Sequence, residues 1–297
     1  MSTQPTLLVT GASGHLGRRV LELLMETYTG PIIAATRHPE QLADFAARGV
    51  QVRQSDFEDT ATLAESFKGA DRLLLISTDA MDRPGRRLQQ HINAVKAAEQ
   101  AGVSHVVYTS LIKPEPGTPV MLAPDHYGTE QALAQSSMGF TVLRNNIYTE
   151  MLIGAAKQAA ATGTLASAAG EGRVAHVTRE DCARAAAAAL AAPFTGRRTL
   201  DITGPVAHSY AELAQIMAQV TGSSITYLPL TLETLIGGME QAGLPRPMAE
   251  AYASFDAGIA QGMMNVASTA VKDLTGSAPT SVSEFLSANR EAILNAG

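Results

Sequence analysis

The first half of the chain alternates short apolar runs with amphipathic stretches in which apolar residues recur at helical spacing. The runs predict strands at 6–10, 32–36, 50–54, 72–77, 105–109 and 140–143. The stretches between them predict helices at 16–28, 39–48, 60–68, 85–101 and 127–136. Leu73-Leu74-Leu75-Ile76 and Val106-Val107-Tyr108 are apolar on consecutive residues. A strand reads that way when both faces of its sheet are covered and neither side meets water. Strands alternating with helices form βαβ units, so the expected fold is α/β, a doubly wound parallel sheet.

The rhythm changes after about residue 150. Residues 163–173 read as a Gly/Ala loop, 177–192 as a helix, 199–202 as a short strand, 210–220 as a helix and 225–228 as another strand. Gly-Leu-Pro-Arg-Pro at 243–247 punctuates two helical stretches, and a last helix runs from Ser281 toward Asn295. Two domains are expected. Residues 1–150 form the first. Residues 151–297 form mainly a smaller α+β domain that shapes a substrate pocket, with some of its segments returning to the core of the first. No internal repeat or disordered linker separates them, so tight packing is expected.

The strongest motif is Val9-Thr10-Gly11-Ala12-Ser13-Gly14-His15-Leu16-Gly17, between the first strand and the first helix. Gly11 allows a sharp turn, Gly14 removes a side chain where backbone approaches a pyrophosphate, and Gly17 lets helix and strand pack closely. The helix then points N–H groups and the positive end of its dipole at the phosphates. This is a dinucleotide-binding turn at the head of a βαβ series, the Rossmann arrangement. No Gly-Lys-Ser/Thr follows, which excludes a P-loop. Gly11, Ala12, Ser13, Gly14, His15, Leu16 and Gly17 are the expected phosphate contacts.

Other strand ends complete the cofactor site. NAD-selective proteins place an acidic residue about 20 positions past the glycines, to bind the ribose 2′-hydroxyl. This chain has Thr36-Arg37-His38 there. Arg37 can pair with a 2′-phosphate that a carboxylate would repel, so NADP(H) is the expected cofactor. Asp56 and Phe57 follow the third strand, where a carboxylate can accept from the adenine amino group. Ser77 and Thr78 end the fourth strand, beside the nicotinamide ribose.

Composition narrows the partners. Lys plus Arg total 22 against 28 Asp plus Glu, a formal net charge of −6. Such a chain lacks the basic footprint of a nucleic-acid or polybasic membrane-surface protein. Trp is absent and aromatic residues make up 5%, so stacking platforms for bases are scarce. Cys182, the single cysteine, cannot close an intrachain disulfide, and its Ala-rich surroundings mark it as a packing residue. No Cys–His spacing suits a metal, so none is expected. Met-Ser-Thr-Gln-Pro at the start carries no basic region, and no uncharged apolar stretch is long enough to span a bilayer. The expected compartment is the cytoplasm.

Several segments together resemble the NmrA-like atypical short-chain dehydrogenase/reductases, in particular their NADPH:quinone oxidoreductase 2 and triphenylmethane dye reductase type. They are Thr-Gly-Ala-Ser-Gly-His-Leu-Gly, Leu-Leu-Leu-Ile-Ser-Thr, Ala-Gly-Val-Ser-His-Val-Val-Tyr-Thr-Ser-Leu, Leu-Arg-Asn-Asn-Ile-Tyr-Thr-Glu, Ala-Ala-Gly-Glu-Gly-Arg and Asp-Leu-Thr-Gly-x-x-Pro-Thr. The resemblance implies an NADPH-binding Rossmann domain, a small C-terminal domain and an acceptor cleft between them. It places Asn145, Asn146, Ile147 and Tyr148 against the nicotinamide and its ribose, with Asn145 holding the carboxamide or an acceptor oxygen and Tyr148 stacking on or donating to the acceptor. Ser110 stands where the superfamily's catalytic Ser lies, and residues 168–173 resemble the family's loop over the cofactor.

One departure matters. The superfamily's Tyr-x-x-x-Lys pair is represented by Tyr127, and Gln131 stands four residues later where the activating cation belongs. Tyr127 is therefore a poor general acid; the resemblance instead matches His126, Thr129 and Glu130, which read as a hydrogen-bonded turn of the helix, with an acid there left open. Hydride delivered to a ketone leaves a strongly basic alkoxide. Hydride delivered to a quinone leaves a phenolate-like anion whose conjugate acid has a pKa of about 10, as for Tyr. Such a site can work by positioning. The expectation is an NADPH-dependent reductase of quinones or similar acceptors, with Asn145, Tyr148 and Ser110 as candidate catalytic groups. A non-catalytic NADP(H) sensor, or a reductase or epimerase of another small molecule, stays open. The expected partner is a quinone-like small molecule, with no nucleic acid and no membrane, and a homodimer is left open.

Overall fold

The computed structural model describes residues 4–294. The apolar runs of the first half form strands β1 (Leu7–Val9), β2 (Ile32–Thr36), β3 (Gln51–Gln54), β4 (Arg72–Leu75), β5 (His105–Leu111) and β6 (Gly139–Asn145). Between them lie α1 (His15–Thr27), α2 (Ala43–Ala46), α3 (Thr60–Phe67), α4 (Arg86–Gln100) and α5 (Ala123–Gln135). Strand ends shift by up to two residues, so that β4 stops at Leu75 and leaves Ser77 and Thr78 just beyond it, and two differences are larger. The stretch at 39–48 opens as a 3₁₀ turn, Pro39–Leu42, because Pro39 fixes the entry and gives no N–H. Helix α5 begins at Ala123, four residues before the expected start, so Tyr127 lies in its second turn.

The remaining elements are α6 (Met151–Thr162), β7 (Thr164–Ser167), β8 (Arg173–Val174), α7 (Arg179–Ala191), β9 (Arg197–Ile202), β10 (His208–Ser209), α8 (Tyr210–Thr221), β11 (Thr226–Pro229), α9 (Leu232–Gln241), α10 (Arg246–Ala260), α11 (Ala270–Thr275), α12 (Val282–Ala288) and α13 (Arg290–Leu294). The supposed loop at 163–173 thus contains β7, which pairs in parallel with β11. Alanine and glycine there carry too little side-chain pattern to signal a strand. The expected last helix breaks at Asn289, which caps α12; Asn295 lies outside the described residues. Ser209 and Glu212 close a capping box on α8, as Ser281 and Glu284 do on α12.

The main sheet has seven strands in the order β3-β2-β1-β4-β5-β6-β9. The β1–β2, β1–β4, β2–β3 and β4–β5 pairs are parallel. Strand order reverses between β1 and β4, the switch point at which doubly wound sheets take their ligands. β1, β4 and β5 are buried along their full lengths, as consecutive apolar residues require. Their core includes Leu8, Ile33, Leu63, Phe67, Leu73, Leu75, Val106 and Tyr108, each large apolar side chain contributing about 1.5–3 kcal/mol by burial. Arg72 is the exception within β4. Its guanidinium donates to the carbonyls of Ala189, Leu190 and Phe194, satisfying the last turn of α7.

The chain divides into two compact units. One comprises residues up to Leu111, Asp125–Arg144 and Cys182–Leu200; the other comprises Ile112–Pro124, Asn145–Asp181 and the residues from Asp201 onward. The second has its own core, with Leu152, Ala156, Leu165, Leu213, Met217 and Leu286 among its members. Cys182 is buried and carries no disulfide. Among the described residues, no helix is long and apolar enough to cross a membrane and no group of His, Cys, Asp and Glu could hold a metal ion.

Candidate functional site

In the first unit the ends of β1 to β5 carry the residues singled out above. Gly11 sits at φ +57°, a left-handed turn that turns the chain out of β1. A Cβ on Gly17 would lie 2.3 Å from the Gly11 carbonyl oxygen, so helix and turn pack as closely as backbone allows. Gly14 is the N-cap of α1 and is exposed. It supplies no side-chain cap, and the first turn of α1 contains no acidic residue. The helix therefore presents its first N–H groups to an external acceptor. Ala12 is buried and its N–H is used by the Ala35 carbonyl at 3.2 Å. The Ser13 hydroxyl meets that of Thr36 at 2.7 Å, tying the turn to the end of β2. His15 is exposed and Leu16 partly buried.

Arg37 follows Thr36, is exposed, and makes no hydrogen bond or ion pair among the described residues. Asp56 accepts the Glu58 N–H through Oδ1 at 2.9 Å, closing a turn that leaves Oδ2 for an outside donor. The Phe57 ring packs edge-on against Phe67 within the core, and its carbonyl accepts from Asn93, so Phe57 anchors this loop.

The exit of β4 is held by three successive backbone donors, each bonded to a side chain from a different element. The Ile76 N–H reaches Thr10 Oγ1 at 3.0 Å, the Ser77 N–H reaches Thr109 Oγ1 at 2.9 Å, and the Thr78 N–H reaches His91 Nε2 at 2.9 Å. The Thr78 carbonyl accepts from Arg87 Nε. The backbone N–H and carbonyl of Thr78 are therefore both gripped by α4.

Proton positions behind this grip follow from the donors. His91 Nε2 accepts a backbone N–H, so the neutral ring carries its proton on Nδ1 and gives it to Thr129 Oγ1 at 2.9 Å. His126 Nε2 faces Arg87 Nη2 at 2.9 Å, and a guanidinium only donates, so His126 also carries its proton on Nδ1, toward the Tyr108 hydroxyl at 2.9 Å. Thr129 passes its own proton to the Asp125 carbonyl at 2.7 Å. Burial, reinforced by the Arg87 charge, holds His91 down to about 3 and His126 well below the usual histidine range. Burial also raises Tyr108. Two neutral imidazoles thus hold this network. Sequence reasoning anticipated a hydrogen-bonded turn at His126 and Thr129 and missed Thr10, Arg87, His91, Tyr108 and Thr109. The available signal was His91 on the apolar face of α4, in register with Ala94, Val95 and Ala98, where a polar group needs a partner.

Ser110, 4% exposed, donates its proton to Glu130 Oε1 at 2.6 Å, and Glu130 in turn accepts Arg144 Nε at 3.0 Å and Nη2 at 2.7 Å. The Ser110 proton is therefore committed to a buried carboxylate. Tyr127 is partly buried on α5.

The second unit begins its site where β6 ends. Asn145 is 5% exposed; its Nδ2 donates to the Tyr148 hydroxyl at 3.4 Å, and its Oδ1 is buried without a partner. Asn146 is occupied by the Met264 carbonyl and the Ile147 N–H. Tyr148 bridges Val177 in parallel, with hydrogen bonds from the Thr149 N–H to the Val177 carbonyl and from the Val177 N–H to the Ile147 carbonyl. The loop at 168–173 is pinned at Ala168, whose N–H donates to Asp256 at 2.7 Å. Arg173 donates to the Ala207 carbonyl and pairs with Glu212.

Residues 11–193 match the family described as NAD(P)H-binding. The chain belongs to the NAD(P)H-binding family. It is 34% identical over 282 residues to quinone oxidoreductase 2 of Escherichia coli strain K12, covering 95% of this chain and 97% of the relative. The crystal structure of the E. coli NADPH-dependent quinone oxidoreductase complexed with NADPH superposes with a TM-score of 0.89, at 34% identity and covering 95% of this chain and 99% of that one. Citrobacter sp. triphenylmethane reductase complexed with NADP(H) superposes with a TM-score of 0.86 at 32% identity, covering 96% and 99%. An NAD(P)H azoreductase of Xenophilus azovorans is 29% identical over 82% of this chain and 84% of its own. In this NAD(P)H-binding chain the glycine cradle fits a dinucleotide on its own geometry, because a Cβ at Gly17 would close the turn and α1 offers uncapped N–H groups.

Proposed function

We propose that this chain is an NADPH-dependent oxidoreductase that transfers hydride to quinones and comparable easily reduced small acceptors, and that it works in the cytoplasm. The observation that carries the reading is the state of the superfamily's acid positions. Tyr127 has Gln131 instead of an ammonium one turn on, and the proton of Ser110 is given to Glu130. No side chain there is poised to protonate an alkoxide. Acceptors whose reduced form is a weakly basic oxyanion need no such acid. The quinone oxidoreductase relative supports the same choice.

In this reading the N–H groups of Ser13 and residues 15–17 bind the pyrophosphate, the Gly14 N–H being given to the Gly11 carbonyl; Arg37 selects the 2′-phosphate and Asp56 accepts from the adenine. The Ser77–Thr78 backbone, fixed by Thr109, His91 and Arg87, lies along the ribose. When bound, NADPH supplies a hydride. Asn145 offers a desolvated carbonyl oxygen that the carboxamide N–H can satisfy, which suits an atom otherwise orphaned. Asn145 Nδ2 donates to the Tyr148 oxygen, which ties the Tyr148 ring to Asn145 and sets it as a wall against which an acceptor can lie. Ser110 orients Glu130 and Arg144 behind β5 and β6.

Purified, flavin-free protein should oxidise NADPH in the presence of one- and two-ring quinones. No turnover with any quinone, with NADPH still bound, would replace this reading with that of an NADP(H) sensor.

A further inference from the structure

The parallel bridge between Tyr148 and Val177 brings the start of α7 beside the segment that ends β6. Arg179, the first residue of α7, places its guanidinium carbon 5.3 Å from the centre of the Tyr148 ring. Its backbone N–H is taken by Glu150 Oε1 at 2.8 Å, yet its guanidinium makes no hydrogen bond or ion pair with any described residue. Glu150 Oε2 is buried without a hydrogen-bond partner, and the guanidinium does not pair with it. Glu150 caps that N–H, and Asp181 accepts from Thr178 and from the Thr280 N–H. Arg179 is only partly buried, so its guanidinium, with five donors, stays within reach of an outside acceptor.

We infer that Arg179 is a specificity-determining residue that selects acceptors carrying negative charge, such as quinones substituted with a sulfonate or carboxylate, and disfavours cationic dyes. The inference rests on the placement of the acceptor beside Tyr148 proposed above. A guanidinium stacked on an aromatic ring keeps its charge while losing part of its hydration, which strengthens its pairing with an anion. The same charge favours the reaction. A quinone that takes one hydride from NADPH gains two electrons and one hydrogen and becomes a hydroquinone monoanion, which water then protonates. Arg179 stabilises that anion and an anionic substituent alike, and repels a triphenylmethane cation.

The test is direct binding, by calorimetry in the presence of NADP⁺, of anthraquinone-2-sulfonate and of neutral 1,4-naphthoquinone to the intact protein, Arg179→Gln and Arg179→Lys. The expected result is that Arg179→Gln weakens the sulfonate roughly tenfold or more, as loss of a charge-assisted contact implies, and the neutral quinone less than about threefold. Arg179→Lys should recover part of the loss, and NADPH affinity should stay within about twofold. Equal weakening of both quinones, no binding of the sulfonate by the intact protein, or an NADPH loss as large as the sulfonate loss would overturn the assignment. Because binding is read without turnover, failure of NADPH oxidation would count against the proposed activity and leave this result standing.

Discussion

His91 Nε2 accepts the backbone N–H of Thr78 at 2.9 Å, while Arg87, one helical turn earlier on α4, donates to the Thr78 carbonyl. The two peptide groups that flank one residue at the mouth of the parallel sheet are thus both held by one helix. The grip works only while His91 is neutral, because a protonated ring has no lone pair to offer.

This relationship makes stability depend on acid. His91 and His176 are held down to about 3 and His105 to about 4, in each case chiefly by burial. Their unfolded values lie near 6.5, so between those limits the unfolded chain binds more protons. Stability is complete above about pH 6.5 and falls as pH drops toward 4, by about 1.4 kcal/mol per pH unit for each such histidine. Urea midpoints across that range check this. In His91→Asn the slope should lessen by about one proton; an unchanged slope would remove His91 from the account.

Arg37 should set the cofactor preference. In the unmodified protein NADPH is expected to bind more tightly than NADH. Arg37→Glu should weaken NADPH by roughly tenfold to a hundredfold, the range of a hydrogen bond to a charged group, with NADH little affected. Fluorescence titration gives both constants, and equal affinities in the unmodified protein would sink the assignment.

The two inner glycines should fail in different ways. Gly14 is exposed, and a Cβ there would meet only the Gly11 carbonyl oxygen at 3.3 Å. Gly14→Val should therefore stay folded and lose the stabilisation by saturating NADPH, about 2.7 kcal/mol at a hundred times Kd. Gly17→Ala puts a carbon 2.3 Å from backbone, so the turn must move and stability falls even without ligand. Melting curves with and without NADPH separate the two cases. A Gly14→Val protein that keeps the full shift would contradict the phosphate cradle.

Removal of hydroxyls should rank the tyrosines. Tyr127→Phe is expected to cost less than about tenfold in kcat/KM, or about 1.4 kcal/mol, below the two to four decades of a general acid. Tyr148→Phe and Asn145→Ala should cost more, since they remove the groups that position the acceptor. A loss of several hundredfold at Tyr127 with little effect at the other two would restore a conventional acid.

Much of this was legible from the chain alone. Periodicity dictates the βαβ order, because a strand covered on both faces must be apolar throughout and a helix between strands must be apolar on one side. The glycine spacing dictates the phosphate turn, because glycine takes φ +57° at Gly11 without steric cost and allows backbone contact at Gly17. The replacement of Lys by Gln131 tells against a conventional acid before any coordinates are seen. Local pattern was silent where contacts come from distant segments. Nothing in the composition of 163–173 announces β7, whose partner β11 lies some sixty residues on. Ser110 looked like a hydroxyl kept for chemistry until β6 and α5 brought Arg144 and Glu130 to it. Thr10 just after β1, Thr109 on β5 and His91 on α4 are far apart in sequence, yet they serve three consecutive N–H groups. Arg179 and Tyr148 stand thirty-one positions apart and meet through one bridge. Backbone conformation is decided within a few residues, so sequence determines it. Which buried polar group finds which partner is decided by packing between elements, so only the tertiary structure does.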